Sequence, residues 1–337
     1  MEISHVVEDK INEDMSNSQT LLSSKSCVVS SQNEYTEQEV EPGSPHEALF
    51  LVIAYLPLFE LLAMSEVCMS LRDAVQKDVL PWLNIIVERP LSLRLSDEIL
   101  MMITSKATGR LKTLVLMNCE KITDDGLQQI IRKNPYINKL YIPACTGLTP
   151  EGVIRAVKTL SEHHHSLRSL RIHGIYNIKK DHLHTILSYL QMKLPQQEQQ
   201  RQLPILFHHR NFSVFRNQES EPLIDVDICP KCNHVRMVYD CPRETCRRGC
   251  KGCNFCIPRC EECGGCIESE ELELTACGDN LCSKCWLQLP KCNFCNQPYC
   301  KLHTNQQHRL SGSSGFVCDV CHVKFVGNLG ATDNADY

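Results

Sequence analysis

Apolar positions near the start of the chain fall into two short helical patterns. The first covers residues 49–56, Pro57 interrupts it, and the second runs over residues 61–71, after which a further helix is expected to lead toward Trp82. Neither pattern leaves a clean polar face, and a module of about 40 residues cannot bury so many apolar side chains within itself. These three helices are therefore predicted to pack against a partner surface.

The middle of the chain repeats a short strand pattern. The phrase L-x2-L-x-L-x2-C at 111–119 returns as I-x2-L-x-I-x2-C at 137–145 and more weakly at 167–175, each time followed by a helical pattern. One strand and one helix per unit of this length are typical of leucine-rich repeats of the cysteine-containing kind. A degenerate unit at 83–103 and a later strand at 202–209 bring the prediction to four or five units, which stabilise one another by stacking.

Two of the repeats carry a cysteine, Cys119 or Cys145, at the same position of the phrase. A small apolar side chain fits a buried turn at this position, so both residues are interpreted as fillers and not as ligands. The polar, Gln-rich run near 191–203 follows the last clear repeat and predicts a surface loop.

The stretch from Cys229 to Cys321 contains 18 of the 22 cysteines of the chain, most of them in pairs two residues apart. In such a pair both sulfurs can turn toward one small ion, and two pairs together complete the tetrahedral shell that zinc prefers. The segment is therefore predicted to fold around zinc. Since structural zinc contributes about 10–16 kcal/mol of apparent binding free energy in small peptides, removal of the metal should unfold this block.

The candidate metal ligands number nineteen, because His303 follows Cys300 with two residues between them, in place of a second thiol. They are Cys229, Cys232, Cys241, Cys246, Cys250, Cys253, Cys256, Cys260, Cys263, Cys266, Cys277, Cys282, Cys285, Cys292, Cys295, Cys300, His303, Cys318 and Cys321. Four-ligand sites then give four zinc ions, or five if His234, His308 or His322 supplies one more ligand. The spacing leaves the pairing of the cysteines open.

Two other uses of these cysteines compete with zinc. Disulfides would need an oxidising compartment, but the sequence after Met1 is acidic and Ser-rich and has no signal-peptide pattern, so we expect a reducing compartment, the nucleus and/or the cytoplasm, and no secretion. The run Cys250-x2-Cys253-x2-Cys256-x3-Cys260 matches the first cysteine run of bacterial ferredoxins. No second such run follows, which favours zinc.

Charge narrows the possible functions. Residues 1–43 carry nine acidic side chains against two lysines, which predicts a disordered acidic tail. The cysteine-rich block has 12 Lys/Arg against 10 Asp/Glu, but zinc-bound thiolates would make it acidic, which disfavours nucleic acid as a partner. No phosphate-binding Gly-rich loop or Ser nucleophile elbow occurs, so no catalytic residue is predicted.

The N-terminal helical segment resembles the F-box over residues 44–84, and departs from it at Leu71, where many F-boxes have Trp. The matching features are Pro45, Leu49, Ile53, the Tyr-Leu-Pro of 55–57, Leu61, Val67-Cys68 and Trp82. In F-box proteins this module binds the Skp-type adaptor of a cullin-RING ubiquitin ligase. The resemblance implies that the adaptor-binding residues are Pro45, Leu49, Ile53, Leu56, Pro57, Leu61 and Val67.

Together these features predict an α/β leucine-rich-repeat solenoid, preceded by a three-helix F-box and followed by a small multi-zinc domain. The expected organisation is an acidic tail at 1–43, the F-box at 44–84, the repeats at 85–228, the zinc block at 229–325 and a disordered tail at 326–337. The zinc block is expected to cap the C-terminal edge of the repeats.

This arrangement is similar to plant F-box proteins of the Skp-interacting group. The resemblance implies a non-catalytic substrate receptor of an SCF-type (Skp-cullin-F-box) ubiquitin ligase, which binds targets through the repeats and the zinc block. Two alternatives stay open. The later cysteine ladder looks like a RING domain, which would recruit a ubiquitin-loaded enzyme directly, and zinc modules also occur in nucleic-acid-binding proteins.

Overall fold

The computed structural model describes the chain from residue 46 onward, with gaps. The described ranges are 46–162, 167–191, 205–207, 222–243, 246, 249–309 and 315–329. The chain divides into two units, Met1–Ser44 and Pro45–Tyr337, and all described residues belong to the second. The predicted acidic tail, Pro45 and almost all of the Gln-rich run lie outside the described residues.

Three helices form the N-terminal part of this unit: α1 (Glu47–Val52), α2 (Leu58–Val67) and α3 (Met69–Lys77). Pro57 ends the first pattern as expected, since its extended backbone directly precedes α2. The second pattern is not one helix as predicted. Cys68 lies in extended conformation (φ −158°, ψ 164°) and separates α2 from α3.

The segment that leads to Trp82 is shorter than the helix predicted for it. A single 3-10 turn, Leu80–Trp82, follows α3 and turns the indole inward. Trp82 is fully buried, and its Nε1 donates a hydrogen bond to the carbonyl oxygen of Val75 (2.9 Å). The tryptophan thereby ties the three helices to the rest of the core.

Four parallel strands follow in sequence order: β1 (Asn84–Val87), β2 (Thr113–Leu116), β3 (Lys139–Tyr141) and β4 (Ser169–Arg171). After each strand comes one helix: α4 (Asp97–Ser105), α5 (Asp124–Lys133), α6 (Pro150–Glu162) and α7 (Lys180–Gln191). The register aligns Ile85, Leu114, Leu140 and Leu170, all fully buried. Cys119 and Cys145 are buried too, as expected for fillers.

Hydrogen bonds between the starts of consecutive helices hold neighbouring units together. The Asp97 carboxylate accepts bonds from the backbone N–H (3.0 Å) and the hydroxyl (2.6 Å) of Thr123. Asp124 accepts the same two bonds from Thr149 (2.9 and 2.5 Å). Each threonine also caps its own helix by accepting a bond from a backbone N–H two residues into it. The helix caps therefore fix the stacking of the units as well.

The C-terminal edge of this sheet is closed by residues 222–226. Leu170 of β4 bridges to Ile224 and donates its N–H to the carbonyl oxygen of Leu223 (2.8 Å). Most of the strand predicted at 202–209 lies outside the described residues, and in the described part, 205–207, Leu206 bridges to Asp240 and not to β4. The run has alternating apolar residues, but the edge position is already occupied by the segment that leads into the cysteine-rich block.

The cysteine-rich block contains little regular structure among its described residues. Its three antiparallel strand pairs are β5 (Asp227–Ile228) with β6 (Val235–Arg236), β7 (Leu272–Glu273) with β8 (Leu281–Cys282), and β9 (Gln307–His308) with β10 (Val317–Cys318). Its helices are α8 (Ser283–Gln288) and α9 (Asp319–Leu329). Residues 326–329, predicted to belong to a disordered tail, are helical, because a helix once begun adds one hydrogen bond per residue.

In the described part of the chain, no helix combines the length and the apolar composition needed to cross a lipid bilayer.

Candidate metal centres

Twenty side chains of the cysteine-rich block lie in five groups of four, and within each group the ligand atoms lie within 4.8 Å of one another. Group 1 is Cys229, Cys232, Cys253 and Cys256; group 2 is Cys241, Cys246, Cys250 and Cys266; group 3 is Cys260, Cys263, Cys282 and Cys285; group 4 is Cys277, Asp279, Cys300 and His303; group 5 is Cys292, Cys295, Cys318 and Cys321. All nineteen residues predicted from the sequence are among them. The groups are arranged to bind metal ions.

Successive groups interleave along the chain. Group 2 begins at Cys241, before Cys253 and Cys256 complete group 1, and each later group likewise begins before the preceding one is complete. Groups 3 and 4 alternate strictly in pairs: two ligands of group 3, two of group 4, two of group 3 and two of group 4. Such cross-bracing links each centre to the next, so a metal lost from one group loosens the ends of its neighbours.

Backbone amides around two of the cysteines favour the thiolate form. Burial opposes ionisation of the Cys229 thiol, but hydrogen bonds from backbone N–H groups, including that of Cys253 (3.4 Å), lower its pKa to about 6. Cys292 of group 5 is in the same situation: burial opposes ionisation, and backbone N–H groups that include that of Cys318 (3.3 Å) lower its pKa to about 6. Thiolates are the form of cysteine that binds metal.

A buried arginine lies between two of the groups. Arg259 is fully buried, and its Nη2 donates to the carbonyl oxygens of Tyr239 (2.8 Å) and of Cys250 in group 2. Its Nε and Nη1 have no hydrogen-bond partner in the described part of the chain. The next residue, Cys260, belongs to group 3. A buried cation needs negative charge nearby, and metal-bound thiolates in the neighbouring groups would supply it.

Group 4 contains a residue that the sequence interpretation missed. Asp279 completes it, and the Oδ2 atom of Asp279 lies 2.8 Å from His303 Nδ1, 3.0 Å from Cys300 Sγ and 3.4 Å from Cys277 Sγ. Cys277 is followed by Gly and Asp before the pair at Cys282 begins, and this Cys-x-Asp spacing is the only signal in the sequence. This spacing differs from the cysteine pairs of the block, which have two residues between the ligands.

The three histidines that the sequence offered for a fifth site lie elsewhere. The His308 ring stacks on that of His322 with the centroids 4.0 Å apart, and its Nε2 bonds to the Asp319 carboxylate. His234 is bonded through Nδ1 to the backbone oxygen of Cys232 (2.8 Å). None of these three contributes an atom to the five groups.

The ferredoxin-like run is divided among three groups. Cys250 belongs to group 2, Cys253 and Cys256 to group 1, and Cys260 to group 3. A four-iron cluster would need four thiolates around one centre. The run therefore does not supply the ligands of such a cluster, although its spacing matches.

The structure places the predicted adaptor-binding residues in two different environments. Leu49, Pro57 and Val67 are exposed, whereas Ile53 and Leu61 are only 2% and 1% exposed and belong to the core. Leu56 is half-buried, and Pro45 lies outside the described residues. Ile53 and Leu61 thus hold the helices onto the body of the unit and are not available to a partner in this structure.

Around the exposed members, the N-terminal helices present a larger apolar surface. It consists of Leu49, Phe50, Leu51, Val52, Tyr55, Phe59, Val67 and Met69, and is called the helical apolar surface below. Tyr55 (87% exposed), Met69 (80%) and Leu51 (76%) are the most accessible of these side chains. A contiguous stretch of the chain with so many exposed large apolar residues is typical of a protein–protein interaction site.

The strands offer less free surface than the helices do. On the row that runs from Val115 through Tyr141 to Arg171, the side chains are only 6%, 5% and 2% exposed. Part of the cover comes from the closing segment, since the Arg171 guanidinium donates to the carbonyl oxygen of Pro222 (2.9 Å). This row of the sheet is therefore not open to a large ligand in this structure.

Similarity to known proteins agrees with these features. Residues 45–83 match the model of the F-box domain, and residues 225–294 match that of the At3g27290 F-box protein C-terminal domain. The second match begins at the segment that closes the sheet and includes ligands of all five groups.

Three proteins of Arabidopsis thaliana are related along most of the chain. F-box protein SKIP28 is 40% identical over 301 residues, which cover 86% of this chain and 94% of the relative. F-box protein SKIP14 is 31% identical over 258 residues, with 74% of this chain and 56% of the relative covered. F-box protein At3g27290 is 33% identical over 242 residues, with 67% and 61% covered. Identity of 40% over nearly the whole of the first relative confirms the resemblance, and the chain belongs to the F-box proteins.

Proposed function

We propose that this chain is the substrate-recognition subunit of an SCF-type ubiquitin ligase. The helical apolar surface carries this proposal, because it leaves large side chains exposed on a module of the F-box family. In this function the surface binds a Skp-type adaptor, and through it a cullin. The ubiquitin-loaded enzyme is recruited by the cullin's own RING partner, so the chain itself performs no catalysis. It would act in the nucleus and/or the cytoplasm.

The position of the exposed residues refines the adaptor interface. Leu49, Leu56, Pro57 and Val67 stay in the proposal with Pro45, while Ile53 and Leu61 support them from the core. Leu51 and Tyr55 join the interface because they are the most exposed apolar side chains of the first helix and the turn after it. Burying an apolar side chain of this size contributes about 1.5–3 kcal/mol, so a few of them suffice for stable binding.

A binding assay with a purified plant Skp adaptor tests this assignment. The double variant Leu51→Asp, Tyr55→Asp is expected to weaken binding by at least about 100-fold, since it places two charges in an apolar contact. Leu93→Asp is the matched control, because Leu93 is 54% exposed but lies in the turn after β1. Equal affinity of both variants, with unchanged thermal unfolding, would reject the interface.

Target proteins are proposed to bind through the repeats and the zinc block. The one-strand, one-helix units with in-register strands support assignment of the repeats to the leucine-rich class. Since the strand row at Tyr141 is buried, exposed apolar side chains of the zinc block are the stronger candidates for target contact. They include Phe255 (85% exposed), Leu274 (72%) and Leu287 (69%). Affinity purification with the proteasome inhibited, compared between wild type and Leu287→Asp, tests this part.

The metal is proposed to be zinc. Four of the groups consist of four cysteines, which is a donor set that structural zinc sites use. The block also has few large buried apolar residues: its clusters at 260–300 and 292–318 consist of cysteines to a large extent. Zinc thus takes the place of an ordinary core. The sequence predicts four or five zinc ions, and this proposal assigns four of them to the four all-cysteine groups.

The alternation of groups 3 and 4 favours a second candidate function. RING domains cross-brace two zinc sites by the same order of ligand pairs, so a direct ligase activity deserves a test. An autoubiquitination assay without cullin separates the two functions. A substrate receptor is expected to be inactive there and active with the full complex, whereas a RING-type ligase is active in both.

A further inference from the structure

Group 4 differs from the other groups in its donor atoms. The other four groups consist of cysteines, while group 4 combines two thiols with the imidazole of His303 and the carboxylate of Asp279. Asp279 Oδ2 lies 2.8–3.4 Å from the ligand atoms of the three other members, and Cys300 Sγ lies 3.2 Å from His303 Nδ1. In a tetrahedral centre with bonds of about 2.0–2.3 Å, ligand atoms lie about 3.3–3.8 Å apart. The group needs only a small expansion to hold zinc.

Local structure presents the Asp279 carboxylate to the centre. Gly278 has a positive φ of 78°, which lets the chain turn between the thiol of Cys277 and the carboxylate. The hydroxyl of Thr275 donates to the backbone oxygen of Asp279 (2.7 Å), and Gly278 N–H donates to the Thr275 oxygen (3.2 Å). Thr275 is itself buried, so the turn is fixed from inside. The Asp279 side chain is 22% exposed and is therefore not a solvent-facing carboxylate.

Ion pairing alone does not explain this arrangement. The carboxylate faces one imidazole and two thiols, and no Lys or Arg side chain among the described residues pairs with it. If both thiols and the carboxylate were ionised, the three negative charges would repel one another unless a cation lay between them. A divalent cation at the centre neutralises most of the charge of two thiolates and one carboxylate.

We propose that Asp279 is the fourth ligand of a fifth zinc ion, and that this mixed site differs from the other four in its metal preference. The inference rests on the proposed zinc-binding function of the block. Thiolates bind soft ions such as Cd²⁺ in preference to Zn²⁺, whereas oxygen and nitrogen donors show a much weaker preference for Cd²⁺. Group 4 therefore retains zinc under conditions in which Cd²⁺ replaces zinc in the all-cysteine groups.

The site also joins two parts of the block. The Cys277 side chain packs against the apolar cluster that includes Ile267 and Leu281 and against the one that includes Tyr299 and Phe316. Cys300, the partner of Cys277 across the site, belongs to the first of these clusters. An ion in group 4 thus holds the two clusters together, and its loss is expected to loosen the contact between groups 3 and 5.

Metal counting on the purified full-length chain tests the ligand assignment. Native mass spectrometry is expected to show five zinc ions in the wild type, four in Asp279→Ala and five in Asp279→Cys, which restores a ligand. Glu270→Ala is the control for the loss of an acidic side chain, since Glu270 is exposed and belongs to no group. Five ions in Asp279→Ala, or four in the wild type, would overturn the inference while leaving the zinc scaffold intact. A wild type without zinc would instead reject the proposed scaffold.

Exchange with cadmium tests the metal preference and does not depend on the Ala variant folding. After exchange with enough Cd²⁺ to fill the all-cysteine groups, the wild type is expected to release four zinc ions and to keep one. In Asp279→Cys, group 4 gains a third thiolate and is expected to exchange its zinc more readily. Random loss of zinc from all five groups, or equal retention in the two proteins, would contradict the proposal.

Discussion

At the residue scale, Asp225 shows how one buried carboxylate ends the parallel sheet. Its side chain is 3% exposed and accepts hydrogen bonds from the backbone N–H groups of Ile172 (2.9 Å) and His173 (3.2 Å). The His173 ring adds a contact from Nδ1 (2.6 Å). A further strand would have satisfied the same backbone groups. Asp225 thus accepts the hydrogen bonds that a further strand would accept, shortly before the cysteine-rich block begins.

Replacement of this carboxylate is expected to be costly. Asp225→Ala leaves buried backbone donors unpaired, and hydrogen bonds to charged groups contribute about 1.5–3 kcal/mol each, so we expect a loss of about 3 kcal/mol in the free energy of unfolding. Urea denaturation measures it. The control is Asp125→Ala, whose carboxylate is 86% exposed, with an expected change within about 0.5 kcal/mol. Similar unfolding midpoints for the two variants would show that the contacts of Asp225 contribute little.

At the element scale, the starts of α5 and α6 each contact the aspartate that begins the preceding helix. Gly152 lies two residues into α6, where an added Cβ would come within 1.9 Å of the Asp124 carboxylate. Gly126 stands in the same relation to Asp97. In α7 the residue at the position of Gly152 is His182. The first residue of the preceding helix is there Pro150, which has no carboxylate, so a side chain larger than that of glycine can be accommodated. The glycines are thus explained by a carboxylate 28 or 29 residues earlier in the chain.

A double-mutant cycle on Asp124 and Gly152 tests this coupling. Each single change to Ala is expected to destabilise the protein by about 1–3 kcal/mol, because Asp124→Ala removes the bonds to Thr149 and Gly152→Ala forces the carboxylate out of them. In the double variant the second change should cost nothing or gain up to about 1 kcal/mol, since Ala favours helix over Gly. Thermal unfolding of the four proteins measures the interaction free energy. Additive effects would contradict the steric explanation.

At the scale of the whole molecule, two kinds of interior meet. One continuous apolar core runs from Ile53 in the N-terminal helices through the strands to Val226. Beyond it, the apolar clusters are small and contain mostly cysteines and a few aromatic or branched residues. The first interior is held by the hydrophobic effect and does not depend on metal. The second is proposed to depend on it.

Removal of metal is therefore expected to unfold only one part. With a strong chelator, backbone amides of residues 229–325 should lose protection from hydrogen exchange, while those of β2 and β3 stay protected. The chelator saturated beforehand with zinc is the control. Exchange and far-UV circular dichroism that do not change after complete removal of zinc would show that metal is not required for the fold of the block.

Much of this arrangement was readable from local sequence patterns. The helix periodicity gave the N-terminal helices, the repeated phrase gave the strands and helices between 84 and 191, and the cysteine spacing gave the nineteen cysteine and histidine side chains that lie in the five groups. These features are local, since each depends on residues a few positions apart. Local patterns missed the break at Cys68 and the bridge from Leu206 to Asp240, a partner far along the chain.

By itself, the sequence determined which segments are helical, which repeat and which carry thiols. Only the tertiary structure decided which cysteines share a group, that Asp279 joins them, and that Ile53 and Leu61 belong to the core and not to the exposed helical apolar surface. The reason is physical: the first and last members of each group are 25 to 29 residues apart in the chain, and burial depends on everything packed against a side chain. Neither is encoded in the spacing of neighbouring residues.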